Sequence, residues 1–336
     1  MGKFIKLHWV AYCILVFILS RIIMLYQFNI ANDILAHVHS NFFTAMCKWD
    51  CKWYLTIIND GYDLHLRSAP KVWRGLANWA FFPLYPLIVK FCVLLTKASP
   101  LIVGNLINQF FILISLHIFY LYLKLFLNEL NSRFGVFLIA FSPFSVYFAS
   151  LYTEALFLLL SITAFYFMRT KRPYLSALCG GLLSATRPVG IMFSIPFLYF
   201  QSKKLFSFNG FNIDSLNFNK ISSNKSSSNE LNFNLPNVNQ INLKDVKLFN
   251  FKQFSLTTVV IGTIISASGL MCYMFYLYVH VGDALAFHHI QHAWGRTGFN
   301  TRHIGQQLLR MALDYHNSVL FLFSVYLSIY LIVINL

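Results

Sequence analysis

Carboxylates are scarce in this chain. It has eleven Asp and Glu among 336 residues, and 11% charged residues of any kind, where soluble domains carry roughly 25%. That scarcity excludes a soluble globule with a charged surface. A disordered chain is excluded as well, because disorder goes with few aromatics and low hydrophobicity, whereas 36 Phe, 18 Tyr and 6 Trp here accompany a 57% hydrophobic content. Cysteine is too sparse for a disulfide scaffold. Of Cys13, Cys47, Cys51, Cys92, Cys179 and Cys272, most lie in apolar runs where a thiol packs as a small hydrophobe. Cys47 and Cys51 are the one pair close enough to bridge, and their spacing does not require it. Walker loops, dinucleotide glycine motifs, Gly-x-Ser-x-Gly elbows and Asp-x-Asp pairs are absent from the sequence, which argues against a soluble nucleotide-sugar donor. The residues call for no cofactor and no metal. His288 and His292 have a zinc-compatible spacing but lack the Glu of a His-Glu-x-x-His motif and a nearby Cys.

What is abundant is apolar sequence. About 20 such residues cross a bilayer core of about 30 Å, and residues 8 to 28 suit a first, uncleaved transmembrane helix preceded by Lys3 and Lys6. The positive-inside rule puts its start in the cytoplasm and a polar, Trp-bearing loop, residues 29 to 78, on the opposite face. Further apolar runs cover residues 79–96, 101–127, 134–150, 154–168, 174–200, 255–281 and 317–336. The expected fold is an all-α polytopic bundle of about 8–10 transmembrane helices with an amphipathic first extracytoplasmic loop. Arg169, Lys171 and Arg172 should be cytoplasmic, and parity then requires two short passes within 101–127 or another re-entrant segment. Residues 201–254 turn abruptly to Asn, Ser, Lys and Phe and read as a low-complexity cytoplasmic insert. The chain therefore divides into a membrane module (1–200), the insert, and C-terminal helices (255–336) with an outer loop at 282–316. The formal net charge of +15, with no basic helix or reader module, indicates cytoplasmic loops facing anionic lipid and no nucleic-acid partner.

With so few acids, the candidates for chemistry are few. Asp50 lies just past the first helix, and Trp49, Trp53 and Ile57 recur at helical spacing. This pattern suggests an amphipathic interfacial helix holding a carboxylate where a lipid headgroup lies; a solvated acid between Lys48 and Lys52 explains Asp50 equally well. Glu154 opens an apolar helix that Thr153 can cap, and beside Tyr152 it is also a hook for a sugar hydroxyl. Arg187 interrupts a 27-residue apolar run next to the helix-breaking Pro188. A guanidinium there is costly unless it snorkels or serves a path or a partner, and its geometry suits phosphate. The last loop brings Asp283, His292 and Arg296, cationic groups able to stabilise a leaving phosphate among them.

Trp49-Asp50-x-x-Trp53-Tyr54 with Gly61-Tyr62, Phe81-Phe82-Pro83-Leu84-Tyr85-Pro86, Ser142-Pro143, the stretch from Ser150 to Glu154, Ala185-Thr186-Arg187-Pro188, and Gly282-Asp283 through Gln291 and Trp294 occur in that order. This ordered set resembles the phosphatidylinositol-glycan class V mannosyltransferases, the GPI mannosyltransferase 2 family with its bacterial-type relatives, across roughly residues 45–300 apart from the insert. The resemblance implies a GT-C glycosyltransferase fold with an active site at the outer or lumenal face. It implies a polyprenyl-phosphate sugar donor such as dolichyl-phosphate mannose, a glycolipid acceptor such as a GPI precursor, and a small membrane subunit as a further partner. The membrane would be that of the endoplasmic reticulum in a eukaryote and the plasma membrane in a bacterium. By the same resemblance Asp50 corresponds to the first-loop acid, Glu154 to an acid near the site, and Arg187 to the Thr-Arg element.

In this reading Asp50 is the catalytic base, and Trp49, Trp53, Tyr152, Glu154, Arg187, Asp283, His292 and Arg296 contact substrate. Asp50 and Arg187 must then open into one extracytoplasmic pocket. The competing classes are a transporter or lipid flippase, which needs polar residues around a midplane cavity, and a non-catalytic membrane subunit.

Overall fold

A computed structural model describes residues 8–34, 41–68, 75–205 and 253–294. Most of the low-complexity insert, the apolar run 317–336, Arg296 and the rest of the last loop lie outside the described residues. The described residues form helices and no strand: α1 (Trp9–Ile34), α2 (Phe42–Ala45), α3 (Cys51–Asp60), α4 (Leu84–Thr96), α5 (Pro100–Leu123), α6 (Glu129–Ala140), α7 (Glu154–Arg169), α8 (Pro173–Ser184), α9 (Ser194–Leu205), α10 (Gln253–Val281) and α11 (Ala286–Ala293), with short 3-10 turns between some of them. Among the described residues, three stretches are long and apolar enough to cross a membrane, namely Trp9–Ile30, Pro100–Leu123 and Leu256–Val281. The all-α membrane expectation stands on these helices.

Two of the three longest apolar runs behave differently, and proline explains why. Two short passes were one expectation for residues 101–127, but α5 is a single unbroken helix. Pro100 occupies its first turn, where a missing N–H costs nothing, and no proline follows before Pro143. The run 174–200 is broken instead. Pro188 cannot continue a helix and disfavours helical backbone in the residue before it, so Arg187 is extended (φ −156°, ψ 148°) and a 3-10 turn, Pro188–Phe193, separates α8 from α9.

Small residues set the helix contact nearest the site. On α8, Gly180, Gly181, Ser184 and the following Ala185 meet Ser266, Ser268 and Gly269 of α10, letting the two backbones touch. The Leu270 amide donates to Ser184 Oγ at 3.2 Å across this seam. Apolar side chains gain nothing over lipid tails in a membrane, so such close packing carries the association. A Cβ at Gly269 would strike the Gly181 carbonyl oxygen and come within 2.6 Å of the Ala185 amide, both backbone atoms that cannot swing away. Gly269→Ala is therefore expected to destabilise the protein by about 1–3 kcal/mol. Thermal unfolding in detergent checks it, and an unchanged melting temperature would remove the α8–α10 seam from this account.

A row of amides on α5 organises irregular backbone inside the bundle. Asn105 Nδ2 donates to Ala149 O, Asn108 Nδ2 to Ser150 O at 2.5 Å and Tyr152 O at 3.0 Å, and Gln109 Nε2 to Phe148 O at 3.3 Å. Non-helical backbone among apolar helices is tolerated only when its carbonyls are satisfied. These amides satisfy them and deliver Thr153 and Glu154, at the start of α7, to a fixed position.

Candidate active site

Asp50 stands at the head of α3, not within it. The helix begins at Cys51, and the Asp50 side chain makes no capping hydrogen bond. The expected interfacial helix through Trp49, Trp53 and Ile57 thus starts two residues later than its spacing suggested and runs on to Asp60. Trp49 lies before it, 60% exposed, with φ at +40°. Trp53, Tyr54, Ile57 and Ile58 are buried, and Trp53 packs on Phe81 (5.8 Å between ring centroids) and Trp294 (5.0 Å). The tryptophan expected to anchor the helix at the interface is a core residue, because aromatic partners from two distant segments enclose it.

Arg187 reaches the same place from the break between α8 and α9. Its Nε donates to Thr153 Oγ1 at 2.8 Å, and its Nη2 pairs with Glu154 Oε1. The guanidinium carbon is 6.0 Å from the Phe157 ring centroid, within cation–π range. Thr153 was expected to cap α7, but its side chain makes no cap bond and serves the guanidinium instead. Glu154 Oε2 is buried and has no hydrogen-bond partner among the described residues. The pairing holds the guanidinium plane on two of its edges, with Nη1 making no hydrogen bond among the described residues.

Asp50 and Arg187 line one cavity of about 250 Å³. Tyr54, Thr186 and Gln291 add polar groups to its wall, while Phe81, Phe82, Val189, Pro188 and Trp294 form the apolar side. A cavity somewhat below the roughly 300–1,000 Å³ of drug-sized pockets suits about one sugar ring with its phosphate, not an oligosaccharide.

The remaining expected residues sit behind the cavity or away from it. Tyr152 donates from its hydroxyl to the Lys48 carbonyl at 2.7 Å, tying the Asp50 loop to the start of α7. Asp283 accepts from the Leu285 amide at 2.9 Å and from His289 Nδ1 at 2.7 Å. The hydrogen bond from His289 holds its carboxyl below the usual carboxylate range, and the two bonds brace the start of α11. That helix buries Ala286 and Ile290 and carries Gln291 and Trp294 to the cavity, while His292 faces outward. Among the described residues, no group of three His, Cys, Asp or Glu side chains is placed to hold a metal ion. Sequence reading did not single out Tyr54, Phe81, Phe82, Thr186, Gln291 or Trp294 as site residues. The available signal was the three-residue offset of Gln291 and Trp294, which puts them on one face of a helical turn.

Over 165 residues the chain is 26% identical to the GPI mannosyltransferase 2 of Schizosaccharomyces pombe, an alignment covering 48% of this chain and 33% of that protein. The matched region thus spans about a third of the relative's length. No family model and no solved structure matches the chain.

Proposed function

We propose that the chain is a membrane glycosyltransferase that moves a hexose, mannose by its likeness to the yeast protein, from a polyprenyl-phosphate sugar to a glycolipid acceptor such as a GPI precursor. The supporting observation is the shared cavity, which sets a carboxylate and a guanidinium against an aromatic wall. Each part has a task in a single inverting displacement. Asp50 takes the proton of the acceptor hydroxyl as its oxygen attacks the anomeric carbon. The bond from that carbon to the phosphate oxygen breaks, and the lipid phosphate leaves with the electron pair. The transition state has oxocarbenium character, as in glycoside chemistry.

Arg187 offsets the charge gathering on the departing phosphate. Its extended backbone and its bonds to Thr153 and Glu154 fix the guanidinium before substrate arrives, and such preorganisation is what makes electrostatic stabilisation effective. The ring faces of Phe81 and Trp294 suit the apolar C–H face of a pyranose. Glu154 and Tyr152 act at one remove in this reading, through Arg187 and the Asp50 loop.

Membranes containing the full chain, given labelled dolichyl-phosphate mannose and a glucosaminyl-phosphatidylinositol acceptor series, are expected to form a mannosylated glycolipid. Absence of labelled product with every polyprenyl-phosphate hexose tried would defeat the reading.

A further inference from the structure

Cys47 and Cys51 form a disulfide, with Cα atoms 5.1 Å apart. The ring it closes contains Lys48, Trp49 and Asp50, so the bond brackets the acid assigned as base. We propose that this disulfide is the positioning element for Asp50.

Three features of the ring carry the positioning role. Cys51 is fully buried at the start of α3 among Trp53 and Tyr54, so one end of the bond is anchored in the core. Trp49, inside the ring, has φ at +40°, a left-handed backbone that costs an aromatic residue about 1–3 kcal/mol and persists only where surrounding structure imposes it. The Lys48 carbonyl is held from the opposite side by the Tyr152 hydroxyl at 2.7 Å. The covalent closure and this hydrogen bond together fix the turn from which Asp50 enters the cavity.

The positioning role rests on the transferase reading, so the experiment separates them. In solubilised protein, C47S/C51S is expected to lower kcat for hexosyl transfer by about 10–10²-fold with the donor KM within about twofold. Reducing the folded wild type should reproduce that loss and leave C47S/C51S unchanged, which covers the case in which the double variant folds poorly. Equal turnover with and without the bond overturns the positioning role and leaves the transferase reading standing. A wild-type chain that transfers no hexose defeats the transferase reading and the positioning role together.

Discussion

Asp50→Asn is expected to lower hexosyl transfer by about 10²–10⁴-fold, the contribution of a general base, while protein abundance and melting temperature stay near those of the wild type. The amide keeps the size of the side chain and removes its charge and its capacity to take a proton. Because Asp50 makes no capping bond at the head of α3, little helix stability is lost with the charge. Initial rates with saturating donor and acceptor read the effect directly. A variant with normal turnover would remove Asp50 from the mechanism, and one that disappears from membranes would show that the carboxylate is structural.

Arg187→Gln is expected to cost both activity and stability, and a second substitution tells the two apart. Losing the guanidinium leaves the partly buried Glu154 carboxylate without its cation, at about 1.5–3 kcal/mol for a charged hydrogen bond. It also removes the positive charge facing the departing phosphate, worth about 10²–10³-fold in rate for a donor of this kind. Adding Glu154→Gln neutralises the stranded acid, so R187Q/E154Q should regain much of the melting temperature while transfer stays low. Recovery of transfer along with stability would mean that Arg187 serves only the fold. Arg187→Lys should fall between, because an ammonium offers no planar fork to reach Thr153 and Glu154 together.

Asp50 and Arg187 were legible in the sequence for simple reasons. Acids are rare enough to enumerate, and a guanidinium next to proline in an apolar run has few bland explanations. The break between α8 and α9 followed from the same proline, whereas the two short passes that charge parity suggested for 101–127 were wrong, since with no proline after Pro100 the helix α5 runs unbroken. The Arg187–Glu154 pair was not legible, since 33 residues separate its members and the Thr153 hydroxyl had an equally good local use as a cap. Trp53 was misjudged because its apolar spacing reads the same whether the rings meet lipid or, as they do, Phe81 and Trp294. The amides of Asn105, Asn108 and Gln109 were not singled out in the sequence, because only the tertiary fold supplies the carbonyls they hold.

The cavity draws its walls from four stretches of chain, around residues 50, 81, 187 and 291, and this has a consequence for biogenesis. As the polypeptide leaves the ribosome, the acid and the first aromatic wall enter the bilayer early, and the guanidinium joins them only after α8. Gln291 and Trp294 must wait until the insert and α10 have been synthesised. Until then Trp53 and Phe81 lack the Trp294 ring that packs on both and Arg187 stands beside an open side, so the nascent chain passes through an interval in which a charged, half-walled hollow faces lipid or a chaperone.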